Sequence, residues 1–238
     1  MNIGILLCGD VPAKLIEEFG GYSDCLKTHY SLDSYGSVKT WNVYQHNEFP
    51  KFINECDVYI IGGSPSGVND NLNWVKDLTT FIQSAFRAKR KLFGICFGHQ
   101  VINYALGGKV EETKRGWGLG AYDVLLKQNI DELTSGQKMK LIAIHQDQVI
   151  STGTGFEVLA GSEFCPHYMT KYQDRVLTVQ GHPEFTAAFF NALLSQRIDI
   201  FQQDEIEAAT ITEEIKIDSL AFNRFVTDFL FAKQSLSF

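Results

Sequence analysis

Along the first hundred residues, short apolar runs alternate with apolar positions at helical spacing. Ile3 to Leu7 is an apolar run stopped by Gly9, which predicts a strand buried on both faces of a parallel sheet. Val11, Leu15, Ile16 and Phe19 then recur at helical spacing, with Pro12 near the start and Gly20-Gly21 at the end, and predict a first helix. Val38, Trp41 and Val43 mark a second strand. Asp57 to Ile61 is another apolar run, ending at Gly62-Gly63-Ser64-Pro65-Ser66-Gly67. Trp74, Leu78, Phe81, Ile82 and Phe86 line one face of a helix, after which Lys91 to Cys96 reads as a strand running straight into Gly98-His99-Gln100. Val101, Ile102, Ala105 and Leu106 extend the helix that follows this turn, and Gly107-Gly108 closes it.

This alternation predicts an α/β protein with a doubly wound, largely parallel sheet flanked by helices. From about 109 to 180 the pattern changes to short β-like pieces: Ala121 to Leu126, Leu141 to Ile144, Phe156 to Ala160, His167 to Tyr172 and Val176 to Gln180. A smaller antiparallel edge segment or insertion is expected there. The Gly-rich stretch Arg115 to Gly120 interrupts it and reads as a loop. After Pro183 the pattern is helical again, through Phe189, Phe190, Leu193 and Leu194, and a final helical tail from about 204 to 238 carries Phe222, Phe225, Phe229 and Leu230. With no repeat or linker, residues 1–238 read as one domain.

Composition narrows the classes of function. Hydrophobic residues make up 45% of the 238 and aromatic residues 13%, enough for a sizeable core, and the charged fraction of 21% is ordinary for a soluble protein. The formal net charge of -7 disfavours nucleic acid or an anionic membrane as the main partner and points to small molecules or proteins. Five cysteines, at positions 8, 25, 56, 96 and 165, include no CxxC pair, so neither a disulfide framework nor a structural zinc site is expected. Met1 to Leu7 has no cationic flank and breaks off at Cys8-Gly9-Asp10, too early for a signal-peptide core. No apolar run reaches the roughly 20 residues that cross a bilayer. A cytoplasmic protein is expected.

Two segments carry chemistry. Gly94-Ile95-Cys96-Phe97-Gly98 has the G-x-nucleophile-x-G pattern, in which small flanking residues permit a strained turn that exposes the nucleophile. At the N-terminus of the following helix the partial positive charge favours a thiolate. A core cysteine among packing glycines spells the same motif, so it does not stand alone. In Gln180-Gly181-His182-Pro183-Glu184-Phe185, a histidine and a glutamate two residues apart follow the apolar strand Val176 to Val179. A carboxylate that accepts the imidazole Nδ1 hydrogen fixes the tautomer and leaves Nε2 free to exchange a proton with a thiol or a leaving amine. By itself a His-Pro-Glu triplet is more often a surface turn. With Cys96 it completes a Cys, His, Glu triad.

Gly94 to Gln100 and Gly181-His182-Pro183-Glu184 together resemble the class I, or triad, glutamine amidotransferase family, in the same order and at a suitable separation, from position 96 to position 182. The resemblance runs from Asn2 to about Phe190. It implies a flavodoxin-like glutaminase fold, with Cys96 as nucleophile, His182 as acid/base, Glu184 as its orienting partner, and no metal or organic cofactor. The family's glycine-rich loop after an earlier central strand corresponds to Gly62-Gly63-Ser64-Pro65-Ser66. This implies oxyanion donors at Gly63 N–H and Phe97 N–H, and a part for Gly62 and Gln100 in holding the glutamyl substrate. Ser64-Pro65 departs from the commonest synthase-associated pattern, which bears on the acceptor and not on the triad. Trp117 either walls the glutamyl pocket or anchors its loop. His145 resembles a stretch near the rim of the family's site, and His99 is expected to pack.

The activity implied is hydrolysis of a γ-glutamyl amide, glutamine to glutamate and ammonia, through a glutamyl-thioester. In one version ammonia passes to a synthase. Only the residues from 185 to 238 follow Glu184, too few for a substantial nucleotide-binding acceptor domain, so that version expects a separate partner chain. In another, the protein is a free-standing γ-glutamyl peptidase or hydrolase acting on γ-glutamyl conjugates. A third class, an inactive regulatory or binding homologue, is disfavoured by the intact triad. A stress-related protein on a similar scaffold lacks the His-Pro-Glu placement.

Overall fold

The computed structural model describes residues 1–232. The chain begins β1 (Asn2–Leu7), α1 (Ala13–Phe19), α2 (Tyr22–His29), β2 (Ser37–Asn42), α3 (Val43–His46), β3 (Val58–Ile61), α4 (Asn73–Arg87), β4 (Lys91–Ile95) and α5 (Phe97–Ala105). It continues with β5 (Lys109–Glu112), β6 (Gly118–Leu126), β7 (Lys138–His145), β8 (Asp147–Ser151), β9 (Glu157–Gly161), β10 (Met169–Tyr172) and β11 (Val176–Val179). It closes with α6 (Ala187–Ser195), α7 (Gln203–Ala209) and α8 (Ser219–Phe231).

One nine-stranded sheet runs in the order β2-β1-β3-β4-β11-β10-β9-β6-β7. Its first five strands pair parallel, and the rest extend it antiparallel. The strands distribute their side chains between two cores with period two. Ile3, Ile5, Val58, Ile60, Phe93, Ile95, Leu177 and Val179 enter one, which is completed by Leu15, Leu26, Phe190 and Phe222 from the helices. Leu6, Tyr59, Ile61, Leu92 and Val176 enter the other, with Leu78, Ile82, Val101 and Ile102 from α4 and α5. The expected α/β fold, a parallel sheet between helices, is therefore present. Its antiparallel portion continues the main sheet, and only β5 and β8 form a separate two-stranded piece.

Several elements depart from the sequence expectation, among them α3, which starts at Val43 where a strand is expected. Helix α2 begins where Gly20-Gly21 reads as a helix end; Gly21 is its N-cap, and Tyr22 and Leu26 face the core. Strands β5 and β8 are short and half exposed, with too little alternation to announce them. Gly118 to Gly120 is not loop: these residues start β6, paired with Ala143 to His145. Pairing is a backbone property that the glycines permit and side-chain pattern does not reveal. In the expected tail, α7 and α8 are helical while 210–218 joins them without a helix. The end of that tail lies outside the described residues.

Candidate active site

The carboxyl ends of β1, β3, β4 and β11 converge on one edge of the parallel sheet, the place where open α/β sheets put their sites. At the end of β4 the chain turns directly into α5 through Cys96, whose φ of 52° and ψ of -104° lie in a region that L-residues seldom occupy. The turn closes because Gly98 passes against β3: a Cβ there would lie 2.0 Å from the Ile61 carbonyl oxygen, and Gly98 N–H donates to Gly62 O at 3.1 Å. Cys96 N–H is held by Val179 O at 2.8 Å, which ties the turn to β11. Cys96 and Phe97 consequently face opposite sides. Cys96 joins the core beneath α1 and α2, while the Phe97 ring packs on Trp74 in the other core.

His182 and Glu184 follow β11. His182 N–H donates to Ile142 O of β7 at 2.7 Å, and its Nδ1 lies 2.6 Å from Glu184 Oε1. The imidazole stacks on Phe185, with centroids 4.1 Å apart and the rings within 11° of parallel. Burial alone would lower the His182 pKa, but the Glu184 carboxylate and Cys96 outweigh it and hold the value well above normal. Glu184 is fully buried. Tyr22 OH donates to the same Oε1 at 2.7 Å and accepts Gly63 N–H at 3.2 Å; Glu184 Oε2 has no protein partner among the described residues. Cys25 Sγ donates to the Glu184 main-chain oxygen at 3.3 Å. Tyr22 is the residue that sequence reasoning missed. Its only sequence signal, an aromatic after Gly-Gly, gives no hint that α2 delivers it to a carboxylate 162 positions away.

A cavity of about 440 Å³ opens over Cys96 and is lined by His182, Gly63, Gln100, Trp117 and His145 among others. A side chain at Gly63 would crowd the site, since a Cβ would stand 3.0 Å from His182 Cε1 and 3.9 Å from Cys96 Cβ. Gln100 Nε2 donates to Asp147 O at 2.9 Å and to Gln180 Oε1 at 3.2 Å, and Gln180 Nε2 lies 3.7 Å from Cys96 Sγ. Trp117 meets Phe201 edge to face at 5.0 Å, so it both walls the cavity and anchors its own segment. Gly62 does not line the cavity. It lies behind it, its carbonyl taken by Gly98 N–H and its Cα face closed by the Tyr22 ring. Phe97 does not line the cavity either; it is the first residue of α5, where amides have no intrahelical acceptor.

Two further histidines are buried. His145 Nδ1 lies 3.2 Å from Asp147 O; burial and then the nearby His182 outweigh that contact and lower its pKa to about 4, so it is neutral near pH 7. His99 packs as expected, its Nδ1 2.7 Å from Thr178 Oγ1. Among the described residues no three or more His, Cys, Asp or Glu side chains gather in a way that holds a metal, and no helix is long and apolar enough to cross a membrane. A cysteine at a strained turn, an imidazole beside it and a buried carboxylate on the imidazole's far nitrogen are groups that acyl-transfer chemistry can use.

Known proteins share this fold. The chain is 27% identical over 233 residues to a glutamine amidotransferase-like protein of Schizosaccharomyces pombe, covering 92% of this chain and 94% of that one. It is 24% identical over 226 residues to gamma-glutamyl peptidase 3 of Arabidopsis thaliana, 89% of each chain. A GMP synthase of Porphyromonas gingivalis is 33% identical over 146 residues, 60% of this chain but 28% of that one. A crystal structure of a glutamine amidotransferase from Methylobacillus flagellatus shares the fold, with a TM-score of 0.71 at 18% identity over 97% of this chain and 92% of the other. The sequence model of glutamine amidotransferase class-I matches residues 25–198, and the chain belongs to that family.

Proposed function

We propose that the protein hydrolyses a γ-glutamyl amide, glutamine to glutamate and ammonia in the simplest case, with Cys96, His182 and Glu184 as its triad. The observation that carries this is the buried 2.6 Å contact between His182 Nδ1 and Glu184 Oε1, set beside a cysteine at positive φ in one cavity. Cys96 reacts as the thiolate, its proton held on His182 Nε2, and its sulfur attacks the γ-carbonyl carbon. The carbonyl oxygen becomes an oxyanion, for which Gly63 N–H and Phe97 N–H are the donors, worth on the order of 3 kcal/mol each in the transition state. Gly63 N–H donates to the Tyr22 hydroxyl, and a developing oxyanion is the stronger, charged acceptor. His182 then protonates the leaving nitrogen as the C–N bond breaks and leaves a thioester on Cys96. Water, deprotonated by His182, attacks the thioester; glutamate departs and the thiol is restored. Gln100 and Trp117 are assigned to the constant glutamyl end.

Substitution of Cys96 by Ala is expected to abolish turnover and thioester trapping with the fold retained, and His182→Ala to cost nearly as much. The Cys96→Ala, His182→Ala double variant should lose little more, because the members of a triad act as a unit. Comparable turnover by Cys96→Ala overturns the mechanism.

A second reading, a free-standing γ-glutamyl peptidase, is supported by two observations. The likeness to the Arabidopsis peptidase runs nearly end to end in both chains, whereas the synthase likeness occupies a minor part of that enzyme. The cavity also extends past His182 along α6, farther than ammonia as leaving group requires. In the synthase version the acceptor of ammonia is a separate chain, and the isolated protein hydrolyses glutamine weakly. The kcat/KM of the purified protein on glutamine and on γ-glutamyl peptides separates the two. A preference for the peptide above about tenfold, roughly 1.4 kcal/mol, decides for the peptidase.

A further inference from the structure

The cavity carries opposite charges among its lining groups. At Gly67 the carboxylates of Asp70 and Asp147 stand together: a Cβ built there would lie 3.0 Å from Asp70 Oδ1 and 2.9 Å from Asp147 Oδ2. Asp147 O is also the acceptor for Gln100, so this is the end assigned to the glutamyl ammonium and carboxylate. The other lining group gathers around His182. From Phe185, stacked on the imidazole, cavity-lining side chains recur at every fourth position: Phe185, Phe189, Leu193 and Arg197. Phe189 and Leu193 share a face of α6, with Phe185 just before the helix and Arg197 just after it. Phe189 and Leu193 are buried. Arg197 is half-buried, and its guanidinium makes no ion pair or hydrogen bond among the described residues. Asp10, also on the lining, is already met by Val11 N–H at 2.8 Å and Tyr22 N–H at 2.7 Å.

His182 must reach the leaving nitrogen to protonate it, so whatever is attached to that nitrogen starts on the His182 side of Cys96. The face of α6 is then the surface over which it runs. Phe189 to the end of α6 at Ser195 spans about 9 Å of helical rise, with Arg197 beyond it, room for a leaving group larger than ammonia. Resting on the hydrolase reading above, we propose that this face is the leaving-group subsite. It takes an amine with an apolar body that ends in an anionic group, such as the free carboxylate of a short peptide, and Arg197 is its specificity-determining cation. An apolar wall closed by one unpaired cation matches an amphipathic anion and offers nothing to ammonia.

The test uses the purified full-length protein and two substrates that differ only in terminal charge, γ-glutamyl-leucine and γ-glutamyl-leucinamide. Wild type is expected to favour the carboxylate by about tenfold or more in kcat/KM, the scale of one hydrogen bond to a charged group. Arg197→Gln should bring the ratio close to one, and Arg197→Lys should keep most of the preference. A wild-type ratio near one, a ratio that Arg197→Gln leaves as it was, or turnover of glutamine alone each overturns the proposal. A variant that only disturbs α6 slows both substrates together and leaves the ratio unmoved, which also counts against it. If no γ-glutamyl compound, glutamine included, is turned over or forms an adduct on Cys96, the hydrolase reading itself fails and this subsite with it.

Discussion

At the scale of the residue, Tyr22 sits at the junction of two parts of the site, and magnitudes decide which contact governs it. Its bond to Glu184 is short, 2.7 Å, and charge-assisted, while the bond it accepts from Gly63 is 3.2 Å and neutral on both sides. Burial, then the charge of Glu184, raises the phenol's pKa well above normal, so it remains a donor. Hydrogen bonds to charged groups contribute about 1.5–3 kcal/mol, against about 1 kcal/mol for neutral ones. Freeing Gly63 N–H therefore does not offset the loss of a Glu184 donor, and Tyr22→Phe should lower kcat roughly tenfold with a smaller change in KM. Because Glu184 loses the donor that stabilises its charge, the pH–rate profile of the variant should also shift. An unchanged kcat and profile would show that His182 alone positions Glu184. The placement of Cys96, His182 and Glu184 in one cluster was legible in the sequence because each lies within a few residues of a strand end, where short motifs fix direction. Tyr22 was not, since its role is made by a helix brought from the other end of the chain.

At the scale of the element, the strand-turn-helix of β4 and α5 is held by glycine packing more than by hydrogen bonds. The Gly98 Cα lies against the end of β3, so a methyl there meets the Ile61 carbonyl, and backbone cannot step aside as a flexible side chain can. Gly98→Ala is expected to destabilise the fold by about 3 kcal/mol or more, on the scale of overpacking and backbone shift in a core. Urea denaturation measures it; a loss below 1 kcal/mol would mean that the turn has slack. Long periodic elements such as α4, and strands buried on both faces such as β1 and β3, were legible because their pattern is set by the two cores they enter. β5 and β8 were not: two of the five residues of β8, Ile150 and Ser151, are exposed, and an edge pair owes its existence to backbone pairing. Gly118 to Gly120 mislead for the opposite reason, since glycine reads as a break in regular structure where it admits a close approach. A Cβ on Gly118 would lie 2.6 Å from His145 Nε2.

At the scale of the whole molecule, the buried histidines tie stability to pH in opposite senses. Burial, followed by neighbouring histidines, lowers the pKa of His99 to about 3, and burial followed by His182 lowers that of His145 to about 4 despite its contact with Asp147 O. The unfolded chain takes up these protons near pH 6.5 and the folded chain does not, so between pH 6.5 and about 4 the unfolded state binds more protons and stability falls with falling pH. His182 is raised, so its contribution is fully present below the unfolded value and is lost as pH rises through the folded one. Below pH 6.5 it stays constant and does not counter the other two; above, it alone of the three acts. Stability should therefore peak near neutrality and fall toward pH 5 by on the order of 1 kcal/mol per pH unit for each of His99 and His145. Denaturation free energies at pH 7, 6 and 5 give the slope, and His99→Gln, which removes one of the two groups, should roughly halve it even though the variant is less stable throughout. Asp147 works the other way, its carboxyl raised by burial and by Glu112 and Asp70, so acid relieves it. A slope that His99→Gln leaves intact would remove His99 from the account.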